Sequence, residues 1–251
     1  MEDVGVHYDQ YKMKPEEVIL TLIVAMGFLF LVGQIFYDNL YLSLFLSLFG
    51  VFYLPVRKKA LIRQRKNLLN LQFKDALYFI SVSLSAGKSM ETALIEAQKA
   101  LKGIYPDGES DMLKELDLMN ARILMSVPTE KVIQDFAERA QIEDIKSFAD
   151  VFSISRRAGA NLVEVIKNTS ATIREKIEVK QEIENIITGK RLEQKILTVM
   201  PFAMVFFIKN TSDGFLDPLF TTLAGRIVMT VALGMIAAAW LISRKIMNIE
   251  V

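Results

Sequence analysis

Residues 18–56 read VILTLIVAMGFLFLVGQIFYDNLYLSLFLSLFGVFYLPV, and Asp38 is the only charged side chain among them. Positions 18–37 give 20 uncharged residues, and at about 1.5 Å per residue such a helix crosses a hydrocarbon layer of about 30 Å. A cleaved signal would have a basic start, a shorter apolar core and a small-residue cleavage site. Here Asp38-Asn39 instead turns the chain straight into a second uncharged run, Asn39 to Val56. The stretch therefore predicts a hairpin of two membrane spans (18–37 and 39–56) preceded by a polar tail, residues 1–17. The lone histidine, His7, lies in that tail, and because a single imidazole makes a poor metal site it is expected to be solvated.

The charge pattern orients the hairpin. Its turn holds no Lys or Arg, whereas the run that leaves it carries Arg57, Lys58, Lys59, Arg63, Arg65 and Lys66 before any acid, the first being Asp75. Lys and Arg accumulate on the cytoplasmic side of a bilayer, so both ends of the hairpin are expected inside. Arg57, Lys58 and Lys59 are first a topology signal, and beyond that candidates for contact with lipid head groups or a protein partner. At the other end, Ile227 to Ser243 is uncharged and closes on Arg244-Lys245. A span must precede it going outwards, and Ile196 to Ile208 is available. Its 13 residues cover only about 20 Å, so Lys195 and Lys209 are expected to snorkel from its ends. The expectation is four spans, two at each end, with both tails (1–17 and 244–251) cytoplasmic.

Between them the chain is soluble in character. Lys and Arg number 30 and Asp and Glu 29, a balance without the surplus that nucleic acid would need; 24 of the bases and 20 of the acids fall between Arg57 and Lys195. Leu69, Phe73, Ala76, Leu77, Ile80 and Leu84 recur at spacings of three and four, the stripe of an amphipathic helix. That helix stops at Gly87, and Ser89 is placed to cap a second with Met90, Ala93, Leu94, Ala97 and Leu101 inside. A turn-rich loop, 103–110, leads to a third helix with Leu113, Leu116, Ile123 and Leu124, broken at Val127-Pro128. A fourth carries Val132, Ile133, Phe136 and Ala140, and a fifth runs from about Ile142 to Ala158. After Gly159, Asn161 is placed to cap a sixth bearing Leu162, Val165, Ile166, Ile173 and Ile177. Positions 174–195 hold 11 charged residues of 22, as a solvated stalk would.

One stretch echoes another. Ala86-Gly87-Lys88-Ser89-Met90-Glu91-Thr92-Ala93-Leu94 reappears 72 residues later as Ala158-Gly159-Ala160-Asn161-Leu162-Val163-Glu164-Val165-Ile166, each a helix stop, a cap and a new apolar face. The pattern predicts a six-helix bundle of two quasi-repeated halves over residues 57–195, in an all-α membrane protein.

Reactive constellations are not found. Cysteine is absent, Gly87-Lys88-Ser89 lacks the earlier glycine of a phosphate loop because Val82 stands there, and the spans hold neither acid nor Arg for an ion relay. No metal or cofactor is expected. Gln34 is the main polar residue within the spans and is expected to hydrogen-bond to a neighbouring helix. Small residues align at Ser43, Ser47 and Gly50 and at Thr230, Gly234 and Ala238, where helices can approach closely, within the chain or between copies.

Over residues 70–247 the chain resembles the type II secretion system F family, in particular its single-domain members of tight-adherence (Tad/Flp) pili, the TadB and TadC type. The resemblance rests on Leu84-Ser85-Ala86-Gly87-Lys88-Ser89 with Ala93-Leu94, on Arg157-Ala158-Gly159-Ala160-Asn161-Leu162, on Thr172-Ile173-Arg174-Glu175, on Pro201, and on the stretch from Leu219 to Arg226 that includes Gly225. It departs from the family at Ser85, where many relatives carry Arg, and at 103–110. The resemblance implies a non-catalytic platform in the inner membrane that contacts a hexameric secretion ATPase and passes its motion to pilins. Because larger members carry the helical domain twice, it also implies a paralogous F-family partner or a homo-oligomer. Arg156 and Arg157, beside the second junction, are candidates for the ATPase contact. The competing readings are a small transporter or channel component, which the uncharged spans disfavour, and a receptor subunit, for which the short outer loops leave little room.

Overall fold

The computed structural model describes residues 5–9, 13–106, 110–158, 162–212 and 214–247. Among them there is no strand. The helices are α1 (Pro15–Tyr37), α2 (Leu40–Leu48), α3 (Tyr53–Ser85), α4 (Met90–Ile104), α5 (Asp111–Leu124), α6 (Thr129–Ala140), α7 (Glu143–Ala158), α8 (Leu162–Thr211), α9 (Asp217–Thr221) and α10 (Leu223–Met247). The chain divides into two units, one of Met1–Lys12 with Lys59–Lys180, the other of Met13–Lys58 with Gln181–Val251.

Three helical stretches are long and apolar enough to cross a membrane: Pro15–Tyr37, Leu40–Ser85 and Leu223–Ser243. The segment expected as a further span, 196–208, lies inside α8 and is too short an apolar run to join them on length and composition.

In the first unit the amphipathic stripes close on one core. Leu69, Phe73, Ala76, Leu77, Ile80 and Leu84 of α3 are buried, as are Met90, Ala93, Leu94, Ala97 and Leu101 of α4. Leu113 and Leu116 of α5, Val132, Ile133, Phe136 and Ala140 of α6, and Ile166, Ile173 and Ile177 of α8 join them, with Ile145, Phe148 and Phe152 of α7. The Phe73 ring meets Phe148 edge-on at 5.7 Å, a favoured arrangement of aromatic quadrupoles. Leu124 is the exception to the sequence reading. It is 82% exposed, because it is the last residue of its helix, and Ser126, at φ 64°, turns the chain there.

The helix ends follow local chemistry. Gly87 adopts φ +79°, open to glycine and strained for other residues. Its N–H donates to Leu84 O at 2.9 Å, and Lys88 N–H donates to Ser83 O at 3.2 Å, satisfying the last carbonyls of α3. Ser89 Oγ accepts from Thr92 N–H, and Ser110, which the sequence reading did not single out, caps α5 by accepting from Leu113 N–H. Gly159 and Asn161, expected as the second stop and cap, lie outside the described residues.

One expectation is corrected, and two features lie beyond the sequence reading. In the N-terminal tail His7 is exposed, as expected, whereas Tyr8 is 1% exposed within the first unit's core. The second apolar run does not end as a separate helix. A 3-10 turn at Phe49–Phe52 links α2 directly to α3, where Pro55, which has no N–H, cannot donate to Val51 O. Pro201, expected at a junction, sits inside the 50-residue α8. The loss is one bond, to the carbonyl of Leu197, and the helical pattern resumes on both sides.

In the second unit α1 packs against α2 at very short range. A Cβ on Gly33 would stand 2.7 Å from Ser43 Cα, and one on Gly50 would stand 2.9 Å from the Met26 backbone nitrogen. Val32, Phe36, Leu216, Phe220 and Met229 form a second core, with the Phe36 and Phe202 rings 5.5 Å apart. Gly225 lies in the first turn of α10, where a Cβ would come within 2.5 Å of Leu219 Cα, so the close passage past α9 requires glycine.

Candidate functional site

The residues that drew attention in the sequence gather at one end of the first unit. Ala86 and Gly87 lie between α3 and α4, and Ala158, exposed, ends α7. Thr129 Oγ1, at the start of α6, donates to Glu91 Oε1 at 2.6 Å in the first turn of α4. Glu130, the next residue, pairs with Arg156 at 3.5 Å near the end of α7. The Thr129 hydroxyl, assisted at longer range by the Arg156 guanidinium, holds the Glu91 carboxyl below its ordinary range. These contacts bring the starts of α4 and α6 and the end of α7 together. The turn before α6 leaves Leu124 and Met125 82% and 77% exposed at the same end. Arg157 is exposed, its Nε donating to Ser153 O at 3.3 Å. The surface thus combines two large apolar side chains with the cations of α7.

Sequence reasoning missed a buried charge network on another part of this unit. Arg139 (4% exposed) donates through two nitrogens to the two oxygens of Glu115 (2% exposed), at 2.7 and 2.6 Å. Asp135 accepts from Arg139 at 3.2 Å and from Arg122 at 2.5 Å. The Tyr8 hydroxyl donates to Glu115 at 2.9 Å, its backbone N–H donates to Arg139 O at 3.2 Å, and the Arg65 guanidinium lies 4.9 Å from the centre of its ring. Arg65 in turn grips Asp111 at 2.7 and 3.0 Å. Burial, and next the Glu115 carboxylate, push the Tyr8 phenol above its ordinary value. A second group joins Asn70, whose amide donates to Asp144 at 2.8 Å, and Lys176, 2.9 Å from the same carboxylate. Hydrogen bonding to Asp144 raises the Lys176 ammonium above its usual value. A signal was present: Glu115 sits between Leu113 and Leu116, and Arg139 between Phe136 and Ala140, positions that an amphipathic stripe carries inwards.

The remaining candidates separate. Arg57, Lys58 and Lys59, in the first turns of α3, are exposed. Ser43, Ser47 and Gly50 are buried in the α1–α2 contact, and Ser43 Oγ donates to Gln34 Oε1 at 3.2 Å, the interhelical bond expected of Gln34. Thr230 is exposed, its hydroxyl sharing a hydrogen bond of 3.0 Å with that of Tyr37. Gly234 and Ala238 are exposed too, and a Cβ at Gly234 would meet open space. Close packing within the chain therefore uses the first set of small residues and not Gly234 or Ala238. Lys209, expected to snorkel, pairs with Asp38 at 2.5 Å. No family model, no curated protein and no solved structure matches this chain.

Proposed function

We propose that the protein is a non-catalytic platform subunit in the inner membrane of a type IV (Tad/Flp-like) pilus or type II secretion-like machine. In this reading the chain spans the bilayer four times with both termini inside, and residues 57–195 form a cytoplasmic bundle of two quasi-repeated three-helix halves. It couples a hexameric secretion ATPase to pilin assembly, alongside a paralogous F-family subunit or further copies of itself. The observation that carries the reading is the end of the first unit where the starts of α4 and α6 meet the end of α7. One motif behind the family resemblance, Leu84–Ser89, lies at the start of α4 and Arg157-Ala158 of another at the end of α7, and exposed Leu124 and Met125 with Arg156 and Arg157 give a partner something to bind. Met and Arg are among the residues enriched in such contacts.

The test is recovery of the detergent-solubilised full chain from its own cells, with partners identified by mass spectrometry. A secretion ATPase and a second F-family protein are expected. Recovery of neither, with a transporter ATPase in their place, would overturn the platform role and favour transport.

A further inference from the structure

Within the second unit, α8 and α10 present facing stripes that leave a slot of about 390 Å³ between them, open on one side. On α8 the stripe steps from Lys190 through Gln194 and Leu197 to Pro201, and on α10 from Ser243 through Trp240 to Ile236. Both follow the three-and-four spacing of a single helix face. Beyond the slot, Phe202, Val205 and Ile208 of α8 and Leu233 of α10 do pack, against the second core, so the gap is confined to the part of the pair nearer the charged segment of α8.

The slot is graded along its length. Lys190, Glu193, Gln194 and Ser243 stand at one end, and Leu197, Pro201, Ile236 and Ala239 at the other. It thus crosses the boundary at which charged sequence gives way to the uncharged runs 196–208 and 227–243. Trp240, the only tryptophan of the chain, lines it, and indole rings collect at the water–hydrocarbon interface. The charged end is locally basic. Lys190 is paired with Glu193 at 3.1 Å, but Arg191, Lys195, Arg244 and Lys245 lie close by in sequence and Glu193 is the only acid from 190 to 195 and from 244 to 245. The volume falls in the range of about 300–1,000 Å³ typical of ligand sites.

We propose that this slot binds one anionic phospholipid, its acyl chain between α8 and α10 and its phosphate at the Lys190 end. An amphiphile matches the gradient of the slot, and basic sites between helices on the cytoplasmic side select anionic head groups. The proposal rests on residues 196–208 lying in the bilayer and is independent of the platform role.

Trp240 reports on it directly. The full chain is reconstituted into phosphatidylcholine vesicles doped with phosphatidylglycerol, with bromine on the acyl chains of one lipid or the other. Preferential quenching by the brominated phosphatidylglycerol is expected, and Lys190→Gln with Arg191→Gln should weaken that preference by about fivefold per cation removed. Ala239→Leu, which fills the slot and leaves the charges in place, should abolish the preference. Equal quenching by both lipids would overturn the proposal, showing ordinary boundary lipid only. Quenching that disappears as copies are crowded would overturn it in favour of a second copy as occupant. Absence of quenching by either lipid would overturn it together with the placement of this segment in the bilayer. None of these outcomes depends on whether an ATPase is recovered with the protein.

Discussion

The Arg139–Glu115 pair is the part of the molecule where single side chains matter most. Two charges withdrawn from water are tolerable because each is answered by the other and by Tyr8 and Asp135. Removing one partner leaves the other buried and uncompensated, so Glu115→Ala should destabilise the protein by about 3–5 kcal/mol, read as thermal melting of the full chain in detergent. Tyr8→Phe keeps the ring under Arg65 and removes one donor to a carboxylate, with an expected loss of about 1.5–3 kcal/mol. Tyr8 also makes the protein sensitive to alkali. Its phenol is raised in the folded state by burial and by Glu115, so the native form holds that proton more tightly than the unfolded chain. The stabilisation is therefore complete below about pH 10 and is lost as pH rises above it. Tyr105, raised by burial and by Asp75, acts in the same direction. Melting temperature should fall above about pH 10, and fall less steeply in Tyr8→Phe; equal slopes would show that Tyr8 does not carry the effect.

Among the elements, the junctions depend on backbone freedom and close approach, and the two demands can be tested separately. At Gly87 a Cβ would meet nothing, so a substitution is disfavoured by φ +79° alone. Gly87→Val should cost about 1–3 kcal/mol, Gly87→Asn much less because Asn tolerates the left-handed region; similar melting for both would show that the turn is not held there. At Gly50 the reverse applies. No positive φ is involved, but a Cβ would sit 2.9 Å from the Met26 backbone. Gly50→Leu should spread α1 from α2, raising the rate at which a cysteine introduced at Ser43, now fully buried, reacts with a thiol reagent. An unchanged rate would show that α2 can shift as a whole.

For the whole molecule, the decisive prediction concerns the exposed end of the first unit. Leu124→Ser with Met125→Ser should leave melting nearly unchanged, since neither side chain is buried, while recovery of an ATPase falls at least about tenfold. Undiminished recovery would move the contact elsewhere. Much of this architecture was readable from residue order. Periods of three and four in the apolar residues set the helices, and Gly87, Ser89 and Pro128 set their limits, because these are local effects of sterics and hydrogen bonding that act over a few residues. The uncharged runs 18–37 and 227–243 fall within Pro15–Tyr37 and Leu223–Ser243, two stretches long and apolar enough to cross a membrane, for the same reason: length and apolarity are properties of the segment alone. What no local rule contained was the pairing of distant groups. Tyr8 reaches Glu115 across 107 positions, Asn70 meets Asp144, Leu124 is left outside while Ile123 touches the core, and the facing stripes of α8 and α10 fail to close. Each depends on where a second element comes to lie, and burial, desolvation and charge pairing take their strength from that placement rather than from the sequence around either residue.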